Sequence, residues 1–579
     1  MSNFIANSDL YVGQVVEVNG VNIKLAISSS ITDLMKIYDG NVYSIGHIGS
    51  MLKILFGRKT LFLSVVALRM KNSDDELIYN PGSDIRIIET IIICEGSYDF
   101  TSEELKVSFG IETFPLPMQK AYLLTSSEMK TFYSALDTTH DTTSFISFGK
   151  YSGTDYECKI NVDKLLSQHC AVLGSTGAGK SATVASILHS IVDMNDMHPN
   201  IILMDPHGEY FKSFAEKCTL YKAYSTDGDD TNDLKLPYWL MTANEFREFI
   251  VGKSEYEATS QNNIVFEALG YARMVEAGIL MRYSNDALGE SPVIFSDGKS
   301  IADYENFDRD NPIYFDLEDL IFHMDKIQGQ KANNNTNKSS SDRKDIDSIL
   351  RKLRILKSNS QLRFLFKDVR VQLKEIMKQF FDGTSIKIID ISGLPNEVSG
   401  TMTAIIARLL FQFKLNQNRK EREKSPILLV CEEAHRYVPN SGDAQYKEAQ
   451  ISVKRIAKEG RKYGIGLMLV SQRPSDIEST VLSQCNTWII LKITNSVDKN
   501  YISNYLPDNS SSMVAQLSSL SRQDAILVGN AVIMPCRIRV NTLDTSKIPD
   551  SNDISFISGW KTQDNTADID NVIERWVKS

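Results

Sequence analysis

One glycine-rich run carries the clearest chemical meaning in this sequence, because it matches the pattern G-x-x-x-x-G-K-[ST]. The run consists of Gly174, Ser175, Thr176, Gly177, Ala178, Gly179, Lys180 and Ser181. Glycines let backbone N–H groups curl around phosphate oxygens, and the N-terminus of a following helix adds partial positive charge. We therefore predict that Gly174 to Ala182 bind ATP, that Lys180 contacts its β- and γ-phosphates, and that Ser181 ligates Mg²⁺.

Two adjacent acids, Glu432 and Glu433, directly follow the apolar run ILLVC at 427–431. Beside a phosphate site this is the Walker B arrangement, in which the first acid supports Mg²⁺ through water and the second orients the attacking water. We expect Glu432 to be associated with the metal and Glu433 to be the catalytic base. The first acid is usually Asp, and the longer Glu432 side chain leaves the metal geometry less defined. The alternative is a pair of acids at a solvated strand end.

Three further polar residues are candidates for the same site. Gln472 follows an apolar run and can sense the γ-phosphate, or it can belong to a turn before Pro474. Arg461 lies in the basic run KRIAKEGRKYG, which is either a solvated helix face or the source of an arginine finger for a neighbouring subunit. Asp205 ends the run NIILMD and either contacts the nucleotide or forms a tight turn.

The segment MDPHGEY also contains His207 and Glu209, and the run IKIIDI contains Asp390. His207 has no second His or Cys close in sequence, so it does not predict a metal centre. Glu209 is open to the same two interpretations as Asp205. Asp390 either faces the site or only terminates its strand.

Two sequence patterns define the elements that must position these residues. Up to about residue 125, apolar and polar residues alternate between turn signals such as Asn19-Gly20, which predicts a small β-barrel. From about 146, apolar runs alternate with helical patterns, as in an α/β fold whose parallel sheet is buried on both faces. The predicted strand runs are 171–174, 200–205, 386–391, 426–433, 465–472 and 487–494. Between the second and third runs lie amphipathic helical patterns and a polar tract, 328–341, interpreted as a flexible loop.

The composition limits the classes of function. The 579 residues are 42% hydrophobic with a net charge of −10, so DNA binding would require basic residues concentrated in a groove or channel. The seven cysteines are widely spaced, which argues against a zinc ribbon, a redox motif or a disulfide framework. Neither a signal-peptide pattern nor an apolar run of membrane-spanning length is present in the sequence, so we expect a cytoplasmic protein with no membrane partner.

The motifs, taken in order, resemble those of the HerA family of the FtsK–HerA ATPases over about residues 146–540. They are GSTGAGKS, MDPHGEY, IIDISGLP, CEEAHRYVP, KEGRKYGIGLMLVSQRPSDI and QCNTWIILKITN. The resemblance implies a hexameric ring with a RecA-like core, ATP between subunits and double-stranded DNA in a central channel. It also implies a partner, either a NurA-like nuclease or, in defence operons, a nuclease or sirtuin-like effector.

By motif position, Lys180, Ser181, Glu433 and Gln472 match the family's catalytic residues, and Arg461 matches its finger acting in trans. Glu432 departs from the usual Asp.

The expected fold is α/β, with an N-terminal β-barrel, a RecA-like P-loop NTPase core, a helical insertion and a C-terminal tail. The expected segments are 1–145 for the barrel, 146–232 and 376–540 for the core, 233–375 for the insertion and 541–579 for a C-terminal brace. The expected function is an ATP-hydrolysing motor that translocates on or unwinds duplex DNA, coupled to a nuclease or effector. The alternative is an ATPase scaffold that switches an effector with little movement on DNA.

Overall fold

The computed structural model of the chain describes residues 4–31, 34–46, 50–70, 86–99, 101–102, 104–138, 144–152, 154–224, 232–252, 259–282, 294–329, 339–367, 369–440, 447–506, 511–551, 555–561 and 569–578. The chain divides into two compact units. The first comprises residues 1–165, 172–190 and 486–542, and the second comprises residues 166–171, 191–485 and 543–579.

The secondary structure follows the two sequence patterns. The strands are β1 (Tyr11–Asn19), β2 (Asn22–Ile27), β3 (Met35–Tyr38), β4 (Asn41–Ser44), β5 (Met51–Phe56), β6 (Lys59–Met70), β7 (Arg86–Asp99), β8 (Glu104–Ser108), β9 (Lys120–Leu123), β10 (Phe145–Tyr151), β11 (Glu157–Asn161), β12 (Cys170–Leu173), β13 (Asn200–Asp205), β14 (Cys218–Lys222), β15 (Asn232–Asp233), β16 (Ile386–Asp390), β17 (Ile427–Cys431), β18 (Ile465–Ser471), β19 (Thr487–Ile490), β20 (Asp524–Gly529) and β21 (Cys536–Val540). The helices are α1 (Ser126–Thr138), α2 (Val162–Ser167), α3 (Lys180–Val192), α4 (Phe211–Phe214), α5 (Ala243–Val251), α6 (Thr259–Glu276), α7 (Ile301–Glu305), α8 (Leu317–Phe322), α9 (Ser339–Ser358), α10 (Arg363–Phe366), α11 (Leu373–Phe381), α12 (Asn396–Leu415), α13 (Arg419–Lys424), α14 (Lys447–Tyr463), α15 (Ser479–Leu482), α16 (Ser496–Ser503), α17 (Ser511–Val514), α18 (Phe556–Lys561) and α19 (Ile569–Lys578).

The N-terminal strands form a closed barrel, as predicted. The strand order is β2-β1-β9-β5-β6-β7, and antiparallel pairing of β2 with β7 closes the sheet. Side chains such as Val12, Leu25 and Leu63 fill the interior, which is the burial pattern that alternating strands produce. The β1–β2 hairpin turns at the predicted Asn-Gly signal, where Gly20 has φ +57°.

A buried ion pair joins α1 to the barrel. Lys53 Nζ on β5 lies 2.5 Å from Glu128 Oε1 on α1, and both side chains are almost fully buried. The same carboxylate accepts hydrogen bonds from the backbone N–H groups of Phe4 and Thr125. Burial lowers the pKa of Lys53, and the nearby Glu128 charge opposes that shift. The buried Glu128 charge is therefore stabilised by Lys53 and by two backbone N–H groups.

The remaining strands of the first unit follow the order β11-β10-β21-β20-β19-β12. The pairs β10–β11, β10–β21, β20–β21 and β19–β20 are antiparallel. This part of the chain therefore adds antiparallel pairs to the sheet that the apolar runs predicted. A continuous apolar run such as 487–494 predicts that a strand is buried on both faces of its sheet, but it does not predict the direction of the strand.

The second unit holds the parallel sheet that the apolar runs predicted. Its strand order is β18-β17-β13-β16-β14-β15. The pairs β17–β18, β13–β17, β13–β16, β14–β16 and β14–β15 are parallel. β16, β17 and β18 are buried along their entire lengths. β17 and β18 accordingly have no charged residue, whereas β16 contains the buried Lys387, whose Nζ donates a hydrogen bond to Asn200 Oδ1 at 2.9 Å.

The chain between β15 and β16 forms the predicted helical insertion, from α5 to α11. A capping box between Thr242 and Glu245 begins α5, and Gly252 in the left-handed conformation ends it. Arg273 on α6 is fully buried and donates hydrogen bonds to the backbone carbonyls of Trp239 and Met241. Residues 330–338 of the predicted flexible loop lie outside the described residues. In the described part of the chain, no helix is both long and apolar enough to cross a bilayer.

The barrel ion pair yields a stability prediction. Lys53→Ala leaves the Glu128 carboxylate buried without its cation, and we expect it to lower the free energy of unfolding by about 3–5 kcal/mol. Chemical denaturation followed by circular dichroism measures the change. The double variant K53M/E128Q removes both charges but keeps a side-chain oxygen that can accept from the backbone N–H groups, and it should recover part of the loss. Equal destabilisation in the two variants would contradict a role for the uncompensated charge.

Candidate nucleotide site

The glycine-rich run forms a loop between β12 and α3 in the first unit. Ser175 N donates a hydrogen bond to Lys492 O at 2.9 Å, which anchors the start of the loop. Gly177 and Gly179 have φ values of +75° and +99°, a conformation that favours glycine and turns successive N–H groups inward. Lys180, the first residue of α3, is buried, and its Nζ lies 3.5 Å from Ser175 O. This is the conformation that a phosphate-binding loop requires.

The loop also fits ATP and Mg²⁺ by its free space and donor types. A Cβ added to Gly177 would meet nothing within 4 Å, so the loop is open there, whereas one added to Gly174 would lie 2.8 Å from Leu491 Cβ. Ser181 lies in the first turn of α3 and is partly accessible. Among the described residues, no group of three or more His, Cys, Asp or Glu side chains is placed to hold a metal. The Ser181 hydroxyl is the type of oxygen ligand that Mg²⁺ takes beside water and substrate phosphates.

In the second unit, the strand register brings acidic residues together. Asp205 at the end of β13 pairs with Asp390 at the end of β16, and Glu432 N donates to Met204 O at 3.4 Å. Parallel strands end at the same edge of a sheet, so the three carboxyl-bearing residues meet there. All three side chains are buried.

Asp205 stabilises the turn that follows β13. Its carboxylate accepts hydrogen bonds from the backbone N–H groups of His207, Gly208 and Tyr210, at 3.1, 2.8 and 3.0 Å. Burial raises the pKa of Asp205 to about 6, and these hydrogen bonds oppose the shift. The contacts of Asp205 are those of the tight turn, and its predicted contact with nucleotide stays a prediction.

Tyr210 is a component of this region that sequence reasoning missed. Its hydroxyl donates a hydrogen bond to Glu432 Oε2 at 2.9 Å, and both side chains are almost completely buried. Burial, reinforced by the Glu432 charge, raises the pKa of Tyr210 well above its usual value. Tyr210 therefore stays a hydrogen-bond donor that fixes the orientation of the Glu432 carboxylate.

Glu433 has an unusual backbone conformation and two histidine neighbours. Its φ and ψ are 51° and 48°, in the left-handed region that a Glu residue rarely adopts. His435 Nδ1 lies 3.2 Å from Glu433 Oε2, and His207 Nε2 lies 3.8 Å from Oε1. Interaction with the Glu433 carboxylate raises the pKa of His207, whereas burial lowers that of His435. Two imidazole rings thus lie beside the carboxylate.

His435 also connects Glu433 to the strand that carries Gln472. His435 Nδ1 lies 3.1 Å from Ser471 Oγ, and Ser471 immediately precedes Gln472 at the end of β18. Sequence reasoning did not identify His435 or Ser471. The CEEAH and LVSQ motifs contain both residues, but they give no sign of the contact.

Two other candidates have clear positions. Arg461 lies in the last turn of α14 with an exposed side chain, which is compatible with reaching a neighbouring subunit. Asp390 accepts a hydrogen bond from Ser392 N at 2.8 Å, so it organises the loop after its own strand.

A glycine loop between a strand and a helix, and parallel strands that end in buried acids, define the chain as an α/β P-loop NTPase. Residues 146–410 match the family described as helicase HerA, central domain. The chain is 27% identical over 475 residues to the DNA double-strand break repair helicase HerA of Sulfolobus acidocaldarius, covering 81% of this chain and 80% of that protein. It is 29% identical to the protein of the same name from Sulfurisphaera tokodaii, covering 76% of each.

Among solved structures, VirB4 of Thermoanaerobacter pseudethanolicus shows 16% identity and a TM-score of 0.46, and the match covers 70% of this chain and 98% of that one. The sequence matches confirm the resemblance: the chain is similar to HerA helicases over most of its length, and its central part matches the model of their central domain.

The Tyr210–Glu432 hydrogen bond yields a paired prediction. Tyr210→Phe removes a donor to a buried carboxylate and should destabilise the protein by about 1.5–3 kcal/mol. The control is Tyr437→Phe, because Tyr437 is also fully buried but its hydroxyl has no hydrogen-bond partner within the described residues. Thermal unfolding of the two variants measures the difference. Similar shifts in both would show that the hydrogen bond contributes nothing of its own.

Proposed function

We propose that this chain is an ATP-driven motor that assembles as a hexameric ring and translocates on or unwinds double-stranded DNA through a central channel. Support comes from the relatives named DNA double-strand break repair helicase HerA, to which the chain is similar over most of its length. In this proposal the motor acts in the cytoplasm with a partner, either a NurA-like nuclease or a defence effector of the nuclease or sirtuin-like kind.

The observation that carries the proposal is the arrangement around Glu433. This buried carboxylate, at a strand end, lies in a strained backbone conformation and contacts two histidines. Strain of this kind costs on the order of 1–3 kcal/mol and is typical of functional sites. We assign Glu433 as the base that orients the attacking water, and His435 as a contact between this base and the strand of Gln472.

The other assignments follow from the same chemistry. Lys180 binds the phosphates, and Ser181 with Glu432 supports Mg²⁺, which neutralises phosphate charge when bound. Gln472 senses the γ-phosphate, and Arg461 reaches the nucleotide of the neighbouring subunit. The C-terminal segment 541–579 braces that neighbour. Its exposed apolar side chains support this role, and they include Phe556, Ile557, Trp560, Ile569 and Ile573.

Glu433→Gln tests the catalytic assignment. The amide keeps the size of the side chain but cannot accept a proton, so we expect kcat for ATP hydrolysis to fall about 100-fold or more while ATP binding persists. Lys180→Ala should instead weaken nucleotide binding. Phosphate release and equilibrium binding of a fluorescent ATP analogue separate the two effects. Hydrolysis by Glu433→Gln at the parental rate would remove Glu433 from the catalytic role.

The same assay distinguishes a motor from the alternative scaffold or switch. A motor should hydrolyse ATP faster on long duplex DNA than without DNA, and faster on long duplexes than on short ones. Equal rates with and without DNA, together with tight binding of an effector, would favour the scaffold.

Mixing two inactive variants tests whether Arg461 acts in trans. In a ring with head-to-tail interfaces, each site would take Lys180 from one subunit and Arg461 from its neighbour. Random mixing of Lys180→Ala with Arg461→Ala then leaves both residues unchanged at about one interface in four. We therefore expect the mixture to recover part of the ATPase activity that each variant lacks alone. A mixture as inactive as its components would exclude a finger at this position.

A further inference from the structure

A basic cavity of about 200 Å³ lies in the second unit, at the carboxyl end of β14. Its walls come from the chain that follows β14, from the segment after β15, and from α10 with its flanking residues. Four basic side chains line it: Lys222, Lys235, Arg363 and Lys367. Among the described lining residues, Asp233 is the one acid. Basic side chains therefore outnumber acids four to one among the described lining residues.

Charge of one sign around a cavity raises its local potential and attracts an anion. Lys235, Arg363 and Lys367 are exposed, so an incoming ligand can reach them. Lys235 and Arg363 come from segments far apart in sequence and line the same cavity. A phosphate between them would relieve the repulsion that holding like charges close together creates.

The lining also includes two aromatic residues. Tyr224, Phe364 and Pro237 line the same cavity as the basic groups. Aromatic faces beside cationic side chains are the combination that single nucleic acid strands use, because bases stack while phosphates bind the cations. The volume of about 200 Å³ is smaller than that of most pockets for drug-sized ligands, and it suits one nucleotide unit of a strand.

We propose that this cavity binds a phosphodiester-linked nucleotide of a nucleic acid strand. The residues that line the cavity are distinct from those of the glycine-rich loop and from those assigned to ATP hydrolysis. The inference rests on the proposed DNA-motor function for the identity of the polyanion, because phosphate chemistry alone would also fit a free phosphate compound.

One wall of the cavity continues toward the acidic edge of the sheet. A Cβ on Gly393 would lie 3.6 Å from Tyr224 Cδ1, and Gln361 Nε2 donates to Gly393 O at 3.1 Å. Gly393 belongs to the loop that follows Asp390, and a Cβ on Gly208 would lie 3.3 Å from Asp390 Oδ2. A strand in the cavity would therefore contact the loop that packs beside the His207 turn.

The test is DNA binding by the full-length chain carrying K235E/R363E, measured by fluorescence anisotropy with labelled duplex and single-stranded oligonucleotides over a series of KCl concentrations. We expect the affinity for DNA to be at least about tenfold lower. The slope of the logarithm of the binding constant against the logarithm of the KCl concentration should be smaller by about two, because two phosphate contacts are lost. The matched control is K420E/K424E, which makes the same charge change at two exposed lysines on α13. It should retain the parental affinity.

The variant K235Q/R363Q removes the two charges without reversing them. It is the control for loss of binding that results from misfolding. It should weaken binding by a smaller factor at an unchanged melting temperature. Parental affinity and salt slope in K235E/R363E would overturn the cavity site and leave the proposed motor intact, whereas a parental chain that binds no DNA would overturn the motor itself.

Pyrophosphate titrated into Lys180→Ala by calorimetry distinguishes a free phosphate ligand. Suppose that K235E/R363E abolishes pyrophosphate binding but leaves the affinity for DNA unchanged. That result would assign the cavity to a small phosphate compound and overturn the nucleic acid proposal.

Discussion

Parallel pairing of β13 with both β16 and β17 is the constraint on which the acidic region of this protein depends. Because the three strands run in the same direction, their carboxyl ends meet at one edge and bring Asp205, Asp390 and Glu432 together. A shift of one residue in either pairing would turn the side chains to the opposite face of the sheet. Contacts at the strand ends, such as the hydrogen bond from Glu432 N to Met204 O, act against such a shift.

Gathering acids at a buried edge is costly, and the surrounding turns offset the cost. Removal from water raises the pKa of Asp205 to about 6, while three backbone N–H groups stabilise its charged form. Glu432 receives the hydroxyl of Tyr210, and Glu433 is approached by two histidines. The left-handed backbone of Glu433 adds strain on the order of 1–3 kcal/mol, which the packed strand end must support. These contacts hold each carboxylate in one orientation.

Much of the fold was predictable, for a reason specific to its strands. Strands such as β17 and β18 are buried on both faces, so their sequences must be apolar throughout and are recognised directly. The short strand β14 was not recognised, because Thr219 and Lys222 leave CTLYK without the continuous apolar run that marks β17. Strand direction was also hidden: β19 is as apolar as β17, yet it pairs antiparallel with β20.

The sequence by itself determined the conformation and chemistry of the glycine-rich loop. Its glycines, lysine and serine are consecutive, and local backbone sterics are enough to make that segment cradle a phosphate. Only the tertiary structure decided what holds the acids. Tyr210 and Glu432 are 222 residues apart in the chain and 2.9 Å apart in space. That contact depends on strand register and on packing between distant segments, and no pattern of neighbouring residues encodes either one.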